Sequence, residues 1–282
     1  MSHIDFSEKM LVAQDLSAIG NLSLAVAIPL FEVQQVPVAI LPTSLLSTQS
    51  EGFGDPATLH CRAWIKNVFA HWQAKKIKVT AALVGYLDDP ATGEDIYTYL
   101  TKNELALVVI DPAFADEGKF YPNLDERHLA VQKKLLQVAD YATPNLTEAS
   151  LLTQIKLSDT PTKKELAKLL TTFATYLKKD GQVVITGVEL NGQKGCAWLA
   201  DDEVKTCLFP RLTGHFYGSG DVFSALFASF LRQNMAFEQA IKAATELTYE
   251  ALKTTAKLAN ERTYGVVLGP LLAKLAKESA LK

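Results

Sequence analysis

The sequence predicts a three-layer α/β/α domain, with helices on both faces of a mainly parallel central sheet, and two observations carry that prediction. Short apolar runs such as Met10–Ala13 and Leu105–Ile110 lack the polar alternation of a sheet with one wet face. Segments of helical period separate them. Strands buried on both faces read as continuous apolar runs, and parallel strands need right-handed crossover helices between them. A chain of 282 residues can bury one large core, so residues 1–282 are read as a single domain.

The elements follow in order. Met10–Ala13 is a strand, and Asn21–Glu32 a helix that Pro29 should end or kink. Val36–Leu41 is a strand, Leu59–Ala74 a helix, and Val79–Val84 a strand. Glu94–Asn103 (helix), Leu105–Ile110 (strand), Glu126–Leu136 (helix) and Val138–Ala142 (strand) continue the alternation. Lys163–Lys178 is a helix and Val183–Ile185 a strand, with strand-like runs at Gly195–Leu199 and Val204–Phe209. The last third is helical: Asp221–Leu231, Phe237–Leu258 and Leu271–Ala280.

Composition narrows the function. Net charge is −3, with 28 Lys and Arg interspersed among 31 Asp and Glu, which argues against a nucleic-acid partner. No run approaches the roughly 18 apolar residues of a membrane span, so no membrane partner is expected. Met1–Met10 is polar, carries Asp5 and Glu8, and does not resemble a signal peptide. Cys61, Cys196 and Cys207 have neither metal spacing nor a disulfide pattern, which points to a reducing cytoplasm.

Ligands of open parallel sheets bind beyond the carboxyl ends of the strands. Asp15 and Ser17, Tyr86 and Asp88, Asp111 and Asp116, Asn145 and Glu148, and Thr186 and Gly187 all follow apolar runs. Tyr217-Gly218-Ser219-Gly220-Asp221-Val222-Phe223 carries the most chemistry. Its glycines leave backbone N–H groups uncovered at a helix start, a natural anion site, and Asp221 stands where it can take a proton from an attacking hydroxyl. The bland alternative is a glycine loop followed by an acid that favours a first helical turn. Neither a G-x-x-x-x-G-K-[ST] loop nor a G-x-G-x-x-G turn after the first strand is present.

These motifs resemble the pyridoxal kinases of the ribokinase-like superfamily. The resemblance rests on Gly218-Ser219-Gly220-Asp221, on Asp111-Pro112 through Asp116-Glu117-Gly118 to Tyr121, and on Thr143-Pro144-Asn145 with Glu148. It implies a ribokinase-like fold with a small flap over the substrate, and an ATP-dependent kinase with Asp221 as base and Gly218, Ser219 and Gly220 as anion hole. It further implies Asp116, Asn145, Thr186 and Gly187 at ATP, and magnesium at Asp116 and Glu148. Asp15, Ser17, Ser50 and Tyr86 match the substrate positions, and Thr43–Gly54 the flap. The implied acceptor is a B6 vitamer phosphorylated at its 5′-hydroxymethyl group. Relatives are commonly homodimers. Gln49, Glu51, Ser219 and Asn21 depart from the commoner pattern. A hydroxymethylpyrimidine kinase and a ligand-binding relative without turnover are the alternatives.

Overall fold

Helices pack on both faces of one large sheet, as the apolar runs require. The computed structural model describes residues 6–158, 160–258 and 263–280. Its strands are β1 (Glu8–Ser17), β2 (Val38–Leu46), β3 (Thr58–His60), β4 (Lys78–Val84), β5 (Leu107–Ile110), β8 (Tyr141–Ala142), β9 (Gln182–Leu190), β10 (Gln193–Ala200) and β11 (Glu203–Pro210), with a small hairpin of β6 (Ala115–Asp116) and β7 (Lys119–Phe120). The nine-stranded sheet has the order β11-β10-β9-β8-β5-β4-β1-β2-β3. The stretch from β9 to β2 is parallel, whereas β3, β10 and β11 are antiparallel additions at the edges.

Successive residues of β1 explain the missing polar alternation. Met10 and Val12 enter one core with Leu24, Leu30, Phe227 and Ile241, while Leu11 and Ala13 enter the other with Leu135, Leu169 and Phe173. The first core lies under α1 (Ser23–Val33), α7 (Ser219–Arg232), α8 (Phe237–Thr255) and α9 (Gly269–Ala280). The second lies under α2 (Arg62–Lys75), α3 (Pro90–Asn103), α4 (Glu126–Leu136), α5 (Leu146–Thr153) and α6 (Lys163–Ala174). Among the described residues no helix is long and apolar enough to cross a membrane.

Several expected boundaries are corrected. Pro29 does not end α1, which runs on to Val33. The carbonyl it leaves without a helical partner is that of Ala25, and both residues are only half-buried, so water can reach it. The helix expected from Leu59 begins at Arg62, because Thr58–His60 pairs with Ser44–Leu46 instead. Leu59 is 62% exposed, so its apolar side chain was no guide to a core-facing helix. The flap is shorter than Thr43–Gly54, since Thr43–Leu46 completes β2. The loop that remains is pinched at its base, where Ser47 N–H donates to the Ala57 carbonyl and Ala57 N–H to Ser47 Oγ, both at 2.9 Å.

Candidate active site

The carboxyl ends of the parallel strands open into a cavity of about 490 Å³. At its floor β1 and β2 lose register, with Thr43 and Ser44 opposite Asp15 alone. A bulge beside a site re-aims a side chain, and Asp15 lines the cavity. Tyr86 enters just past β4 and Asp111 just past β5, and the pinched loop brings Gln49, Ser50 and Glu51 over the same space. Ser50 and Tyr86 therefore share one wall, as the flap reading requires. Ser17 is buried and donates from Oγ to Asp15 Oδ2 at 3.4 Å; it supports Asp15 rather than lining the cavity itself.

The start of α7 supplies the anion site. Gly218 is its N-cap, with φ +80°, and a Cβ there would come within 2.7 Å of the Asn21 carbonyl. No side chain can occupy that position without moving the β1–α1 turn. Ser219, Gly220 and Asp221 form the first turn, whose N–H groups have no acceptor within the helix. A Cβ on Gly220 would meet nothing within 4 Å, so that backbone faces open cavity. The Asp221 carboxyl sits beside these amides, half-buried and lining the same space.

Two loops fix the opposite wall. Asn145 caps α5: its Oδ1 accepts the Glu148 N–H at 2.9 Å, and its Nδ2 donates to the Ala115 carbonyl at 2.7 Å. Glu148 answers by accepting the N–H groups of Asn145 at 2.9 Å and Phe114 at 2.8 Å, with Ala115 at 3.5 Å. Glu148 is 2% exposed, and through these bonds it rivets the Asp111–Asp116 segment to the start of α5. Asp116 is half-exposed, with Oδ1 accepting the Glu117 N–H at 2.8 Å, and it faces the cavity. Thr186 and Gly187 lie where β9 bulges, two residues against Cys196 of β10, and Thr186 N–H donates to the Pro144 carbonyl at 2.9 Å. Gly187 has φ +70°, which turns this bulge toward the cavity.

The cleft is rich in acidic groups. Burial pushes Asp15 up to about 6, opposed by the Ser23 and Ser17 hydroxyls. Burial pushes Asp111 up to about 7, opposed by the Ser224 and Thr143 hydroxyls, and raises Glu148 well above the carboxylate range with Asp111 adding to the effect. Burial pushes Asp221 up to about 8, with Asp111 and Asp15 reinforcing it and the Ser23 N–H and hydroxyl opposing it. Burial also raises the Tyr86 phenol, helped by Asp15 and Asp88. Carboxyl groups shifted this far and gathered in one cleft mark a functional site.

Ser23 is the partner that sequence reasoning missed. It stands between Asp15 and Asp221 with φ +44°, a strained value for serine, and nothing in the sequence marks a serine in that role. The wall of Cys196, Thr245, Thr248, Tyr249 and Leu252 was also missed, because it depends on how α8 lies against β10.

Known proteins resemble this chain in sequence and in fold. Residues 35–267 match the phosphomethylpyrimidine kinase family. Hydroxymethylpyrimidine/phosphomethylpyrimidine kinase of Haemophilus influenzae is 29% identical over 199 residues, which is 67% of this chain and 71% of that protein. Pyridoxine kinase of Bacillus subtilis is 30% identical over 158 residues, 55% of this chain and 56% of that protein. The crystal structure of pyridoxal kinase from Lactobacillus plantarum superposes with a TM-score of 0.90 at 37% identity, covering 97% of this chain and 98% of that one.

Proposed function

Because the chain belongs to the phosphomethylpyrimidine kinase family and is similar to pyridoxal and pyridoxine kinases, we propose that it transfers the γ-phosphoryl group of ATP to the 5′-hydroxymethyl group of pyridoxal and related B6 vitamers. One observation carries the reading: Asp221, the open backbone of Gly220, and the side chains of Asp15, Ser50 and Tyr86 all line a single cavity. The fold does not separate a pyridine from a pyrimidine acceptor, since a putative phosphomethylpyrimidine kinase of Bacteroides thetaiotaomicron also superposes with a TM-score of 0.90. The higher identity to the pyridoxal kinase, 37% against 25%, favours the pyridine.

In this reading the acceptor ring stacks on Tyr86, with its polar edge toward Asp15 and Ser50 and its hydroxymethyl group toward Asp221. The Asp221 carboxylate takes the hydroxyl proton as the new O–P bond forms and the bond to ADP breaks. The amides of Ser219, Gly220 and Asp221 hold the negative charge on the transferring group. Among the described residues no group of three or more His, Cys, Asp or Glu is placed to hold a metal unaided. That fits magnesium, which keeps several waters and leans on substrate phosphates. Asp116 would hold the ion, with Glu148 and Asn145 fixing the loop behind it and Thr186 and Gly187 at the phosphates. Bound there, magnesium would offset phosphate charge during transfer.

Initial rates of ATP consumption with pyridoxal, pyridoxine, pyridoxamine and hydroxymethylpyrimidine test the reading. A kcat/KM at least about tenfold higher for a B6 vitamer supports it. A preference for the pyrimidine, or no acceptor-dependent turnover, overturns it. Tyr86→Ala is expected to raise the KM for pyridoxal several-fold while leaving that for ATP nearly unchanged, since an aromatic contact is worth about 0.5–1.5 kcal/mol beyond burial. Equal effects on both substrates would instead assign Tyr86 to packing. Gly220→Val should fold normally, because its side chain meets only open cavity, yet lose ATP binding because that cavity is where phosphate would sit. Normal ATP affinity in this variant would move the anion site elsewhere.

A further inference from the structure

Among the described residues, seven carboxylic side chains line the cavity against two permanent cations, Lys194 and Arg211, and one histidine. A polyphosphate entering so acidic a cleft needs positive charge beyond a single divalent ion. Two of the three basic groups are already engaged. Arg211 Nε lies 3.3 Å from Glu189, and His215 Nδ1 lies 3.6 Å from Glu117. Lys194 forms no ion pair among the described residues. Its cross-strand neighbour on β9 is Glu189, the acid that Arg211 occupies.

The bulge in β9 puts this lysine in reach of the phosphate turn. Lys194 is the second residue of β10, and its Cε lies 3.9 Å from where a Cβ on Gly187 would stand. The end of the Lys194 stem thus lies beside Gly187, and this exposed residue lines the cavity, its long unbranched side chain able to present the ammonium to a ligand there.

We propose that Lys194 is a nucleotide-binding residue of this kinase, its ammonium engaging the β- and γ-phosphate oxygens of ATP laid against the Thr186–Gly187 bulge. This rests on the proposed phosphoryl transfer for the location of ATP, but not on which acceptor the enzyme uses.

Calorimetric affinities for ATP and AMP with magnesium, in the wild type, Lys194→Met and Lys194→Arg, test it. Charge-assisted hydrogen bonds are strong enough that Lys194→Met should weaken ATP by about 10-fold or more, with AMP changed less than about twofold. Lys194→Arg should recover most of the loss. In turnover assays kcat/KM for ATP should fall in parallel, while the KM for the acceptor stays near the wild-type value. An unchanged ATP affinity in Lys194→Met, or an equal loss for ATP and AMP, would overturn the proposal. A wild type that binds ATP in a Lys194-dependent way but phosphorylates no B6 vitamer would overturn the proposed acceptor and leave Lys194 assigned. A wild type that binds no ATP would overturn both.

Discussion

Glu148→Gln is expected to lower the melting temperature by roughly 5–10 °C and raise the magnesium concentration needed for half-maximal turnover. The wild-type carboxylate accepts backbone N–H groups on both oxygens, Phe114 and Ala115 on one and Asn145 on the other. An amide keeps only one acceptor, so it sets an NH₂ group against a backbone N–H at one end. Leaving a buried donor unmet costs about 1–3 kcal/mol, and a chain of this size loses about 2–4 °C per kcal/mol. Removing an acid that burial, and then Asp111, raises well above the carboxylate range works the other way. The N–H groups of Asn145, Phe114 and Ala115, which favour the ionised form, limit that gain. The magnesium effect is indirect and follows from slackening between the Asp116 loop and α5. Asp116→Asn is the contrast: Asp116 is half-exposed, so its loss should raise the magnesium requirement with little change in melting temperature. Unchanged melting of Glu148→Gln would show that the carboxylate is not the rivet between the two loops.

The sheet was legible because β1, β4 and β5 are buried on both faces, which leaves a plain apolar signature. The Gly218–Asp221 turn was legible for a related reason, since a helix start stripped of side chains leaves glycines in the sequence. Helix α5 was not read, although Asn145 and Glu148 stand at capping-box spacing. The same two residues fit a metal motif, and pattern alone does not say whether a carboxylate faces an ion or three backbone N–H groups. Thr58–His60 was misread because its exposed Leu59 mimics helical periodicity. The roles of Ser23 and Lys194 lay beyond the sequence altogether. One depends on a strained φ that brings two distant acids to one hydroxyl, the other on a bulge that pairs Gly195 with Val188 and then Ala197 with Ile185.

Asp221→Asn should cost turnover about 10²–10⁴-fold and at the same time stabilise the unliganded protein above neutral pH. The two effects share a cause. Burial chiefly pushes Asp221 up to about 8, against 3.8 for an ordinary aspartate. Such a group costs the fold nothing below pH 3.8, where it is protonated in both states. The penalty grows as pH rises from there to about 8, because the unfolded chain ionises freely and the folded one resists. Asparagine removes the penalty, so the variant should melt a few degrees above the wild type near pH 8, and the gap should close toward acid. In the wild type the base must be ionised to act, so turnover should rise with pH along a limb that the variant lacks.

Turnover measured beside ATP affinity in Asp221→Asn is the most direct test of the account. It predicts a loss of at least about 10²-fold in kcat with ATP bound as tightly as in the wild type or more so, since in this reading backbone amides, magnesium and Lys194 would hold the phosphates and a nearby negative charge is gone. Turnover within a few-fold of the wild type would mean that another group takes the proton, and would contradict the assignment of Asp221 as the base.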